Sequence, residues 1–162
     1  MGVAILDYDE KTNVVEYVYS TYWETHKPDS MKYQEYRLRV VQEMVENAEQ
    51  LFAFHEPDQV ACEVLPVRGF TNSSQVFLAH AALAAVQGIA FAFGAQVTQV
   101  AAVTVKKRIG GSPKATKVAV RNGVLQLLPE LAPKKSKWTK VFDESDAIAI
   151  GLTTLGYSNS TP

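Results

Sequence analysis

The chain has 162 residues, 47% of them hydrophobic and 20% charged, with a single cysteine. Those fractions suit one globular domain and exclude a disordered chain, a collagen-like repeat and a disulfide framework. One Cys and three scattered His (His26, His55, His80) also exclude a Cys/His zinc site.

The net charge of −1 hides a sorted distribution. Residues 1–63 hold 5 basic and 13 acidic residues, residues 64–140 hold 11 and 1, and residues 141–162 hold 0 and 3. A basic middle between acid-bearing ends points to a nucleic-acid partner. The lone Cys62 permits a reducing compartment, and the opening MGVAILDYDE has no basic leader, so a cytoplasmic protein is expected.

Val3–Tyr8 and Val14–Trp23, separated by Lys11-Thr12-Asn13, read as a β-hairpin. Asp29 or Ser30 can cap a helix to about Phe54, because Tyr33, Tyr36, Val40, Val41, Met44, Ala48, Leu51 and Phe52 recur at helical spacing. Asp58–Val64 (DQVACEV) reads as a mostly buried strand and Pro66–Ser74 as a loop. An Ala-rich helix capped by Ser73 or Ser74 follows, closed by Gly94. Its apolar run from Val76 to Ala95 is broken by His80, Gln87 and Gly88, which favours a core helix over a membrane span. Val97–Val103 reads as a strand, and Ser112-Pro113 as the start of a helix running to about Leu128. Residues 129–141 read as a Pro/Lys loop, Asp143–Leu155 as a last helix, and residues 156–162 as a flexible tail. The order β-β-α-β-α-β-α-α is α/β, with a hairpin first and βα units after it.

Three acids stand out. Glu63 sits in an otherwise apolar strand, where a carboxylate is costly unless it is paired or bound to metal. Asp143 and Asp146 open the last helix at i, i+3, a spacing that also suits simple capping. Together the three can hold two Mg²⁺ or Mn²⁺ ions, which seek oxygen ligands and can drive phosphodiester hydrolysis. Arg68, Lys106, Lys107, Arg108, Lys114, Lys117 and Arg121 form the basic cluster, followed by Lys134, Lys135, Lys137 and Lys140. Gly110-Gly111-Ser112-Pro113 within it offers backbone N–H groups to phosphate, although GGSPKATK lacks P-loop spacing.

The stretches PDQVACEV (57–64), AAVQGIAFAFGAQ (84–96), VKKRIGGSPKATK (105–117) and DESDAIAIGL (143–152) occur in an order and with gaps that resemble RuvC-type Holliday junction resolvases. The resemblance covers roughly residues 2–155. It implies a ribonuclease H-like mixed sheet flanked by helices, in one domain over 1–155. It also implies Mg²⁺-dependent cleavage of four-way DNA junctions by a homodimer, with two ions per active site. Glu63, Asp143 and Asp146 resemble the family's metal-binding acids, and Lys106 and Lys117 its DNA-contacting lysines. Gly88 resembles a dimer-interface glycine. Ala81, Ala84 and Ala85 would join it there, or would serve helix packing within one chain.

The family's first strand carries a catalytic Asp in a pattern like GIDPSxxxTGxA. Met1-Gly2-Val3-Ala4 resembles the end of that pattern, so the matching Asp would fall about seven residues before Gly2. Either Val3–Tyr8 takes that strand's place, with Asp7 or Asp9 as the acid, or the chain lacks its true start. A wedging aromatic after the strand Glu is absent, unless Phe70 serves. A junction-binding protein without activity, and a nuclease acting on flaps or RNA–DNA hybrids, are the alternatives.

Overall fold

The computed structural model describes residues 1–65, 73–139 and 142–159, the side chains of 73–75, 134–137 and 139 excepted. Arg68, Phe70, Lys140 and the end of the tail lie outside the described residues, as do the side chains of Lys134, Lys135 and Lys137.

The hairpin is β1 (Gly2–Asp9) and β2 (Val14–Tyr22), paired antiparallel. Asp9 builds its turn: the carboxylate accepts from the Thr12 hydroxyl at 2.9 Å and the Lys11 N–H at 2.8 Å, while Asn13 takes a left-handed φ of 54°. The register shifts between Ile5 and Leu6, which face Tyr19 and Tyr17, leaving Val18 as the extra residue of a bulge. Inward positions on β2 are Val15 and Tyr17 before the bulge and Ser20 after it. The bulge therefore turns a serine, not a tyrosine, inward.

Helix α1 (Tyr33–His55) buries Val40, Met44, Ala48 and Phe52, a strict i+4 stripe. It starts three residues later than expected, because Pro28 to Met31 forms a turn and the Lys32 N–H bonds the Glu35 carboxylate at 3.3 Å. Strand β3 (Gln59–Glu63) and strand β4 (Gln96–Val100) pair as a parallel sheet, with α2 (Ser73–Ala92) as the crossover. Gly94, at φ 78°, ends α2, and the Ala95 N–H bonds back to the Ala90 carbonyl at 2.9 Å.

The expected strand Val97–Val103 stops at Val100, and α3 (Ala102–Arg108) follows at once. The β-branched run Val97, Thr98, Val100, Val103, Thr104 and Val105 favours strand locally, but burial of Val105 and Ile109 on a helical i, i+4 face overrides it. Helix α4 (Lys117–Leu127) starts four residues later than Ser112-Pro113 predicts. Thr116 is the cap, its hydroxyl accepting from the Ala119 N–H at 3.2 Å. The expected loop over 129–141 is a 3₁₀ segment (Pro129–Thr139), and α5 (Asp143–Thr154) closes the fold.

Length predicts one domain; the chain divides into two compact units. Unit 1 is Met1–Trp23 with Val100–Pro162, and unit 2 is Glu24–Gln99. Unit 1 packs Val105, Ile109, Val120, Val124, Trp138, Ile148 and Leu152 into one core, with Ala4, Leu6, Val15 and Tyr17 of the hairpin against it. The smaller core of unit 2 is Phe52, Ala90 and Ala95, lined by Leu51, Val60, Ile89 and Val97.

Through Asn159 the expected flexible tail is tied down. The Asn159 amide donates to the carbonyls of Ile109 (3.0 Å) and Gly123 (2.8 Å), and the Tyr157 hydroxyl donates to the Asn13 carbonyl at 2.7 Å. No helix among the described residues is long and apolar enough to cross a membrane.

Candidate functional site

The first turn of α5 carries Asp143, Glu144 and Asp146. Its backbone is fixed from within. The Phe142 carbonyl accepts from the Asp146 N–H and from the hydroxyl of fully buried Ser145, both at 2.8 Å. Glu144 turns to the hairpin, where the Ser20 hydroxyl donates to it at 2.6 Å. This is what the β2 bulge achieves: it delivers a hydroxyl to the helix that bears the acids. Gly2 packs against the Asp143 carbonyl so closely that any Cβ there would collide with it.

Asp143 and Asp146 lie one turn apart, and two lysines attend them from other helices. Lys117, the first residue of α4, places Nζ 3.2 Å from Asp146 Oδ2. Burial pushes the Asp146 carboxyl above the usual carboxylate range; the Lys117 ammonium opposes that shift, the Asp143 charge adds to it, and Lys106 on α3 opposes it again. Two cations lie near the Phe142 ring, Lys117 Nζ 5.9 Å and Arg121 Cζ 5.8 Å from its centre. Among the described residues of unit 1, no third His, Cys, Asp or Glu joins the pair in a cluster. The donor set is oxygen only and partly desolvated, which suits a hard divalent cation.

Of the predicted phosphate contacts, Arg121 is buried, whereas Arg108 is exposed and spends one guanidinium N–H within the chain. Arg121 is 7% exposed, donates to Asn122 at 3.2 Å and leaves its Nε without a partner. The Arg108 guanidinium donates to the Thr153 carbonyl at 3.0 Å, satisfying the C-terminal end of α5. Lys107, Lys114 and Lys117 are exposed, and Lys106 is half-buried. The expected phosphate-cradling loop is also occupied: the N–H groups of Ser112, Lys114 and Ala115 all bond to acceptors between Lys106 and Ser112. Their partners are local, so these three N–H groups are not free for phosphate.

Asp7 and Asp9 do not approach the acid pair. β1 sets Gly2 against Asp143 and Leu6 against Gly151, so it runs alongside α5 away from the acids. At ~3.3 Å per residue, Asp7 lies roughly 16 Å along the strand from Gly2. Asp9 is spent on the hairpin turn, where the Thr12 hydroxyl and the Lys11 N–H hold its carboxyl below the usual range.

The third predicted acid, Glu63, is the last residue of β3 in unit 2 and is half-buried. Cys62 beside it is buried, and burial pushes its thiol up, a Gln87 hydrogen bond opposing. On α2, Gly88 is exposed and a Cβ there would meet nothing within 4 Å. Ala84 is exposed, and Ala81 and Ala85 are half-buried.

The family of crossover junction endodeoxyribonuclease RuvC matches residues 2–154. The chain belongs to the RuvC family. Its fold is similar to the Thermus thermophilus RuvC structure at a TM-score of 0.67, with 23% identity over 94% of this chain and 84% of that one. It is equally similar to T. thermophilus RuvC in complex with Holliday junction substrate, at a TM-score of 0.68 and 22% identity over the same shares. These likenesses show the α/β, ribonuclease H-like fold. No curated protein matches the chain.

Sequence reasoning missed Phe142, Gly2 and Ser20 as supports of the acid-bearing turn. An aromatic directly before DESD is a visible signal for the first. Ser20 carried none, because its inward turn depends on the bulge.

Proposed function

We propose that this protein is a divalent-metal-dependent endodeoxyribonuclease that resolves four-way DNA junctions as a homodimer. The observation that carries the reading is the Asp143–Asp146 pair on the first turn of α5, attended by Lys106 and Lys117, in a chain of the RuvC family. Glu63, Asp143 and Asp146 would hold the metal, as two Mg²⁺ or Mn²⁺ ions per site. Bound there, such ions supply an activated water and stabilise the leaving oxygen of a phosphodiester.

The chain's own residues prepare that chemistry. Ser145 and the Phe142 carbonyl hold the helix turn, so the backbone that carries both acids is fixed in place. Partial burial of Asp146 makes its charge costly, and a dication relieves that cost. Lys106, Lys107, Arg108, Lys114, Lys117 and Arg68 are the phosphate contacts, with affinity falling steeply in salt.

The dimer face we infer is on α2. Ala84, Gly88 and Phe91 are exposed and recur at helical spacing, preceded on the helix by Phe77, whose ring the Arg37 guanidinium covers at 3.4 Å. Such a stripe lets a second copy approach closely.

Junction cleavage tests the reading. Wild type is expected to nick a four-way junction in Mg²⁺ or Mn²⁺ and not in EDTA, with Glu63→Gln and Asp146→Asn inactive. Junction binding with no cleavage in either metal would instead assign a binding protein, and preferential cutting of flaps or RNA–DNA hybrids a different nuclease.

A further inference from the structure

We propose that Lys117 is a switching cation. Without a divalent ion it neutralises Asp146; when such an ion takes that carboxylate, Lys117 is released to a DNA phosphate. Metal and DNA then strengthen each other's binding through one side chain. This rests on the function inferred above.

The ion pair is direct, 3.2 Å from Nζ to Oδ2, and the two partners differ in freedom. The Asp146 side chain is 32% exposed and the Lys117 side chain 60% exposed. The acid is fixed on a buried turn, and the lysine is a compact charge on a flexible stem at the surface. A pair this exposed is weak, so it breaks at little cost. A dication on Asp146 repels the ammonium beside it, because the two positive charges would share one oxygen pair. Lys106 also acts on Asp146 and Phe142 is flanked by Arg121, so the turn keeps cationic support when Lys117 leaves. By linkage, DNA that captures Lys117 frees Asp146 for metal to the same extent that metal frees Lys117 for DNA.

The salt dependence of binding to a four-way junction separates this from plain charge repulsion. It would be measured in EDTA and in low fixed Ca²⁺ for wild type, Lys117→Gln, Lys117→Arg and Asp146→Asn. The wild-type slope of log K against log[salt] is expected to steepen by about 0.9 on adding Ca²⁺, one extra phosphate contact. Lys117→Gln should show no steepening, and Lys117→Arg should retain it. Asp146→Asn cannot hold the lysine as an ion pair, so it should show the steeper slope already in EDTA. Calorimetry with Mn²⁺ and no DNA should give tighter binding in Lys117→Gln than in wild type.

Equal slope changes in wild type and Lys117→Gln, with Mn²⁺ and junction both bound, would overturn the switch and leave the proposed function standing. Wild type that binds no Mn²⁺, or no junction, would overturn both.

Discussion

Asp146 is a half-buried carboxylate whose protonated form the fold favours. Its pKa is raised on folding, so its ionisation works against the folded state. The sign follows from linkage: the penalty is absent below the unfolded carboxylate range and grows as pH rises through the folded value. Asp146→Asn removes that penalty, so it should raise Tm near neutral pH. The gain should shrink to nothing by about pH 4, where free carboxyls protonate. Thermal melts of both proteins across pH check this; a gain that persists at low pH would place the effect elsewhere. The same substitution should abolish metal binding, so stability and function oppose one another at this residue.

At the scale of elements, the acid-bearing helix is held by what packs around it. Trp138 is 1% exposed in the unit 1 core, so Trp138→Ala should cost about 3–5 kcal/mol in urea unfolding. Gly123 on α4 faces the Ile109 carbonyl, with which a Cβ would collide, so Gly123→Ala should cost about 1–3 kcal/mol and loosen the Asn159 staple. A silent result for Gly123→Ala would mean that this contact is not held in solution.

How far these elements were legible in the sequence follows their physics. The α1 stripe, the hairpin turn and α5 were readable, because period and turn chemistry act locally. Helix α3 was not, since its β-branched residues favour strand and only burial of Val105 and Ile109 makes it a helix. Trp138 was hidden in a Pro/Lys stretch that reads as loop. For the candidate site, the spacing of Asp143 and Asp146 on the first turn of α5 was readable, because it needs only a helix start. The burial of Arg121, the Arg108–Thr153 contact and the turn of Ser20 depend on tertiary packing and a bulge, and a charge count carries neither.

For the whole molecule, the sorted charge of the opening count takes on a structural form. Within unit 1, lysines of the basic middle stand beside acids of the chain's last segment. The exposed α2 stripe predicts association. Gly88→Leu with Phe91→Glu should leave a folded monomer in sedimentation velocity, whereas an unchanged assembly would move the interface elsewhere.

The most direct measurement is Mg²⁺-dependent cleavage of a four-way junction by wild type and Asp146→Asn, with junction binding recorded in parallel. Metal-dependent nicking by wild type, lost in the variant while binding persists, is the predicted result. Junction binding without cleavage by wild type in any divalent metal, or cleavage unchanged in Asp146→Asn, would contradict it.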